Sequence, residues 1–131
     1  MKLSKILYNV KYDGTYEDMD ISSIYQDSRK ISKKNSLFLA IKGQTYNGAQ
    51  YIQDAINLGA KAIITDVDVL NNINIPILKV DNCRKTIPLI AKNFFNDPSN
   101  KIHITGITGT NGKTSIAYMI SKVLESADLN W

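Results

Sequence analysis

The stretch Ser36-Leu37-Phe38-Leu39-Ala40-Ile41, closed by Lys42-Gly43 and followed by Asn47-Gly48, decides the fold class. A short apolar run bounded by a glycine is too brief for a buried helix and fits a strand covered on both faces. After the Asn47-Gly48 turn, Tyr51, Ile52, Ala55 and Ile56 recur at helical spacing. Gly59 stands where a helix ends, because glycine alone takes the left-handed conformation cheaply. Ala62-Ile63-Ile64-Thr65 then repeats the strand pattern, and Ile77-Leu78-Lys79-Val80 supplies a third. Strands alternating with helices imply an α/β architecture: a small domain with a mostly parallel sheet and flanking helices.

Beyond the third strand, Asn82 is a good N-cap for a helix running to about Asn96, with Ile87, Ile90, Ala91 and Phe94 on one face. Pro88 falls inside it and is expected to kink it, having no donor and crowding the preceding turn. Asn96-Asp97-Pro98-Ser99-Asn100 is the strongest breaker cluster in the chain. It marks a domain boundary, giving a first domain over residues 1–98 and a second from residue 99 to residue 131. The second opens with an expected strand, Lys101-Ile102-His103-Ile104-Thr105, and a glycine-rich loop from Gly106 to Gly112. Ile116, Met119, Ile120, Val123, Leu124 and Ala127 then form the stripe of an amphipathic helix. One strand and one helix cannot bury a sheet face, so residues 99–131 are expected to be the start of a larger, truncated domain. The 131 residues alone are accordingly expected to be catalytically inactive.

The loop Gly106-Ile107-Thr108-Gly109-Thr110-Asn111-Gly112-Lys113-Thr114-Ser115 carries the chemistry. A strand leading in and an amphipathic helix leading out are the setting of a phosphate-binding loop. Glycines let successive backbone N–H groups converge on phosphate oxygens, and the helix N-terminus adds unpaired donors and partial positive charge. Lys113 is the candidate catalytic residue, reaching the β- and γ-phosphates of a bound nucleotide, and the Thr114 hydroxyl is a candidate Mg²⁺ ligand. The generic pattern wants a glycine five positions before Gly112, where this chain has Ile107.

That departure has an explanation in kind. Gly-Ile-Thr-Gly-Thr-Asn-Gly-Lys-Thr resembles the ATP loop of the Mur ligases and their folylpolyglutamate synthetase relatives, whose loops carry GT-x-GKT. Upstream, Asp27-Ser28-Arg29, the Ser36 to Gly43 stretch, Asn47-Gly48, Tyr51-Ile52, Ala55-Ile56 and Gly59-Ala60 look like the uridine-nucleotide-binding N-terminal domain of that family. Val80-Asp81-Asn82-Cys83-Arg84-Lys85, Phe94-Phe95 and Pro98-Ser99 look closest to its MurE-type branch. The resemblance implies a ligase that adds the third amino acid to UDP-N-acetylmuramoyl-L-Ala-D-Glu through an acyl phosphate, using ATP and Mg²⁺. It places Gly109, Thr110, Asn111, Gly112, Lys113, Thr114 and Ser115 at ATP, and Gln26, Ser28, Gln44, Thr45 and Tyr46 at the UDP-sugar. Two alternatives stay open: a MurF-type ligase adding D-Ala-D-Ala, and a nucleotide-binding module without ligase chemistry.

Composition narrows the classes further. With 16 Lys+Arg against 12 Asp+Glu the net charge is +4, which suits an anionic small molecule. No basic block of the kind that tracks nucleic acid is present. No apolar run nears the ~18–20 residues of a membrane span. The lone Cys83 cannot pair within the chain and fits a reducing, cytoplasmic setting. It sits near a helix N-terminus, which lowers thiol pKa values in general, but has no suitable partner beside it and is read as structural. His103 between Ile102 and Ile104 is likewise read as a structural strand residue. Asp27-Ser28-Arg29, taken without the resemblance, fit a strand end with Asp27 capping a turn and Arg29 paired to it. The sequence does not fix the incoming amino acid or the oligomeric state.

Overall fold

The computed structural model describes residues 1–43, 47–69 and 73–129. The chain divides between Asn96 and Asp97 into two compact units, two residues ahead of the expected boundary. The divide falls where Asn96 and Asp97 both take left-handed backbone angles, φ 56° and 48°. Pro98 then starts a short 3-10 turn, Pro98–Asn100.

The first unit is an α/β layer structure. Its sheet has β1 (Ser23–Tyr25), β2 (Ser36–Ala40), β3 (Ala60–Thr65) and β4 (Ile77–Lys79) in that order, every pair parallel. The helices are α1 (Leu3–Ile6), α2 (Ile52–Asn57) and α3 (Cys83–Phe94), with 3-10 turns at Ser28–Lys30 and Gly48–Tyr51. Alternation along the strands sorts the core into two halves. Leu37, Leu39, Ala62, Ile64 and Leu78 face one side, with Leu3, Ile6 and Leu7 around α1, and Cys83 and Ile90 of α3. Phe38, Ala40 and Ile63 face the other, with Ile31 and with Ile52 and Ala55 of α2. All five residues of β2 are buried, which is why Leu37, Phe38, Leu39 and Ala40 form a continuous apolar run.

Two elements seal this unit. Asn93 of α3 donates to the carbonyls of Ile6 and Tyr8 at 2.9 and 2.8 Å, satisfying orphan acceptors at the end of α1. Asp13 exchanges two 2.8 Å backbone hydrogen bonds with Lys79, covering the open edge of β4. The expected N-cap is in place: the Asn82 side chain accepts from the Lys85 N–H at 3.0 Å. The helix it starts runs through Pro88 to Phe94 as one element.

The second unit contains α4 (Lys113–Ser126) preceded by the glycine-rich loop. Here one expectation is corrected. Residues 101–105 are not a strand, and Ile102 and Ile104 are 64% and 68% exposed. A strand exists only through its ladder, and no other extended segment among the described residues of this unit offers one. His103 is accordingly an exposed residue rather than a packed strand histidine. Ile116, Met119 and Val123, on the apolar stripe of α4, are also exposed.

Candidate functional site

In a parallel sheet the ligand edge is the carboxyl end of the strands, where loops lead into helices. A cavity of about 620 Å³ opens at that end of β1 and β2. Its lining comes from the segment after β1 (Gln26, Asp27, Ser28, Arg29), from Phe38 and the segment after β2 (Ile41, Gly43), from Gly48 and Tyr51, and from Arg84 of α3. Gln26 and Ser28 thus lie together at one site, Ser28 only 5% exposed. Gln44, Thr45 and Tyr46 lie outside the described residues.

Local chemistry fixes the turn that presents Ser28. Asp27 caps the Ser28–Lys30 turn, its Oδ1 accepting from the Arg29 N–H at 3.1 Å. The same carboxylate takes Arg29 Nε at 3.0 Å and Nη2 at 3.0 Å, a bidentate pair. The Arg29 guanidinium holds the Asp27 carboxyl below the usual carboxylate range, and Asp27 in turn raises Arg29. The capping and pairing read from sequence are therefore present, and they coexist with Ser28 in the cavity wall.

Gly48 allows the cavity floor to close. Its N–H donates to the Ile41 carbonyl at 3.0 Å. A Cβ there would lie 2.6 Å from both Ile41 N and Ile41 O and 2.8 Å from the Ala40 carbonyl carbon. Only a residue without a side chain lets this turn lie against the end of β2.

The start of α3 is tied to the same edge by Asp66, the residue after β3. Its Oδ1 accepts from the Lys42 N–H at 3.3 Å and its Oδ2 from the Cys83 N–H at 3.0 Å. Cys83 is buried, and burial first, then the Asp66 carboxylate, push its thiol up to about 12. Desolvation and a neighbouring anion here outweigh the helix N-terminus, so Cys83 is a structural thiol. Arg84 and Tyr51 were not singled out from sequence as site residues. The signal for Arg84 was available: it follows the Asn82 cap on a helix entered from β4, and such helix starts lie at the ligand edge.

The loop of the second unit has its own geometry. Gly109 and Gly112 take φ 153° and 76°, angles that residues with a Cβ rarely adopt. Gly112 is the N-cap of α4 and brings no capping side chain, and the first turn holds no acidic residue. The 112 carbonyl starts the helix by accepting from the Ile116 N–H at 2.9 Å. Lys113, Thr114 and Ser115 form the exposed first turn. Lys113 Nζ donates to the carbonyl of Gly109 at 2.6 Å and to that of Thr110 at 3.4 Å, folding back over the loop. Asn111 and Thr110 are exposed beside it.

Residues 20–95 match the Mur ligase family, catalytic domain. The chain belongs to the Mur ligase family. It is 41% identical to the UDP-N-acetylmuramoyl-L-alanyl-D-glutamate–2,6-diaminopimelate ligase of Caldanaerobacter subterraneus subsp. tengcongensis, over 95% of this chain and 26% of that protein. The ligase of the same name from Clostridium tetani is 41% identical over 97% of this chain and 27% of its own length. The chain thus spans about a quarter of the curated relatives it matches. Among solved structures it is similar to the Acinetobacter baumannii UDP-N-acetylmuramoylalanyl-D-glutamyl-2,6-diaminopimelate–D-alanyl-D-alanyl ligase. That match has TM-score 0.68 at 18% identity and covers 94% of this chain and 27% of that one. The Thermotoga maritima MurF ligase in complex with ADP matches with TM-score 0.59 at 25% identity, covering 79% of this chain and 23% of that one. The chain has the α/β fold expected of it, and no described helix is long and apolar enough to cross a membrane.

Proposed function

We propose that this Mur ligase chain handles both nucleotides of an ATP-dependent ligase. That ligase joins the third amino acid of the peptidoglycan stem peptide to UDP-N-acetylmuramoyl-L-Ala-D-Glu. Residues 1–98 take the UDP-sugar in the cavity beside Gln26 and Ser28, and residues 99–131 begin the ATP-binding domain. The observation that carries this reading is the cavity at the carboxyl edge of β1 and β2, with buried Ser28 in its wall. A small hydroxyl there can bond a nucleotide without filling the space it needs. Gln44, Thr45 and Tyr46 are proposed as further contacts on the resemblance alone.

In the loop, the turn at Gly109 and Gly112 and the uncapped start of α4 suit a polyphosphate. Lys113 would exchange its bonds to the Gly109 and Thr110 carbonyls for phosphate oxygens, and Thr110, Asn111 and Ser115 would line the same anion. Transfer of the γ-phosphoryl group to the substrate carboxylate gives an acyl phosphate. The amine of the incoming amino acid then attacks its carbonyl carbon, and phosphate leaves as the amide forms. Lys113 serves by meeting the charge that develops on the phosphoryl oxygens. For Mg²⁺ the donor chemistry fits: Mg²⁺ ordinarily takes one or two protein oxygens, with phosphates and water completing its shell. The exposed Thr114 hydroxyl is such a donor. When bound, the ion neutralises charge on the phosphates. A cytoplasmic location goes with substrates of this kind.

The curated relatives are named for 2,6-diaminopimelate at 41% identity, while the MurF-type structures are more distant at 18% and 25%. That contrast favours 2,6-diaminopimelate addition over D-Ala-D-Ala addition. The test is ADP release by a polypeptide carrying these residues and extended to the relatives' length. Release that requires UDP-N-acetylmuramoyl-L-Ala-D-Glu and diaminopimelate together supports the reading. Release that requires the tripeptide nucleotide and D-Ala-D-Ala instead refutes it.

A further inference from the structure

Two guanidinium groups line the cavity at the carboxyl edge of β1 and β2, and their electrostatic states differ. Arg29 is spent on Asp27: Nε and Nη2 bond that carboxylate at 3.0 Å each. The pair brings the cavity no net charge. Arg84 lines the same cavity from the first turn of α3 and makes no ion pair among the described residues. Asp66, whose carboxylate bonds at the start of that helix, is committed to the Lys42 and Cys83 N–H groups. Asp81, three residues before it, forms no bridge to it either.

Arginine is suited to this position, because its planar fork meets phosphate oxygens two at a time and never loses its charge. The backbone beneath Arg84 is anchored on both sides, by the Asn82 cap on Lys85 N and by Asp66 on Cys83 N. A long side chain on a fixed stem can thus reach an anion without the helix having to order first.

We propose that Arg84 is the diphosphate-recognising residue of this cavity, with Ser28 on the nucleoside side and the Asp27–Arg29 pair fixing the turn that presents it. This rests on the reading of the cavity as a UDP-sugar site and adds to it the group that distinguishes a nucleoside diphosphate from a monophosphate. Arg84 is exposed, so its replacement leaves the core intact.

The experiment is a titration of UDP and, separately, UMP into the ¹⁵N-labelled 131-residue chain, following the amides of residues 26–29. Wild type should bind UDP more tightly than UMP. Arg84→Gln should weaken UDP about tenfold, the scale of one charge-assisted contact, and should abolish most of the preference over UMP. Arg84→Lys should restore part of it. UDP affinity within twofold of wild type in Arg84→Gln would overturn the role of Arg84 while leaving the site. Absence of any UDP-dependent shift at residues 26–29 in wild type would overturn both.

Discussion

The Asp66 carboxylate accepts a hydrogen bond from the Cys83 backbone N–H at 3.0 Å. Its other oxygen takes the Lys42 N–H at 3.3 Å. One side chain at the end of β3 therefore links the segment leaving β2 to the start of α3, and so joins two walls of the cavity. Asp66→Ala removes both acceptors and leaves the partly buried Cys83 N–H unpaired. It should cost about 1–3 kcal/mol of stability, the range for an orphaned buried donor. Urea denaturation of the two proteins measures this; a loss below about 0.3 kcal/mol would mean the link is structurally idle. Asp66→Asn, which keeps an acceptor, should lose less.

Cys83 gives a prediction in pH. Burial and Asp66 raise its thiol to about 12, against an ordinary value of 9.0. The unfolded chain releases this proton above about 9 while the folded chain keeps it, so the folded state binds more protons in that window. Stability from the buried thiol is complete below pH 9 and declines as pH rises towards 12. Iodoacetamide should therefore label Cys83 slowly in the native protein at pH 8–9 and readily in urea. Rapid native labelling at pH 8 would contradict a buried, protonated thiol.

Gly48→Ala tests the floor of the cavity. A methyl group 2.6 Å from the backbone N and O of Ile41 must push the 3-10 turn off the end of β2. Overpacking against backbone of this kind costs about 1–3 kcal/mol, and the displaced wall should weaken UDP binding as well. Thermal denaturation and the UDP titration both check it. Wild-type melting and affinity in the variant would show that the turn moves freely.

β2 and β3 were legible because they are buried on both faces and their composition says so without help from context, whereas β1, three half-buried residues long, carries no such signal and is not among the strands read from the sequence. Asn82 and Gly59 marked helix ends through chemistry that acts locally; Gly59 indeed takes φ 110°. The four-residue α1 carried no periodic signal, since it spans barely one turn and is defined by what Leu3 and Ile6 bury against. Residues 101–105 have strand-like composition but no ladder partner among the described residues, and pairing is a property of two segments that one segment cannot announce. Gln26 and Ser28 are proposed at the UDP-sugar by resemblance, and both line the cavity. Arg84 is not among the residues the resemblance names; its place follows from the parallel crossover that brings α3 to the strand ends, which the Asn82 cap after β4 already signals.

Lys113→Ala addresses the loop. The lysine now bonds the Gly109 and Thr110 carbonyls, and in the proposed role it trades these for phosphate oxygens. In a polypeptide of the relatives' length, the substitution should lower ligation at least a hundredfold. That is the scale of removing one charge-stabilising group from a transition state. UDP-sugar affinity should stay within twofold. Ligation within tenfold of wild type would remove Lys113 from the mechanism.

In the proposed function the carboxyl-edge cavity of the first unit is the UDP-sugar site. Its most direct test is titration of UDP-N-acetylmuramoyl-L-Ala-D-Glu into the ¹⁵N-labelled chain, with Ser28→Ala as the comparison. Saturable shifts are expected, centred on the amides of residues 26–29, 43, 48 and 84, with an affinity lowered several-fold by Ser28→Ala. Shifts confined to other faces of the sheet, with Ser28→Ala binding as wild type does, would contradict it.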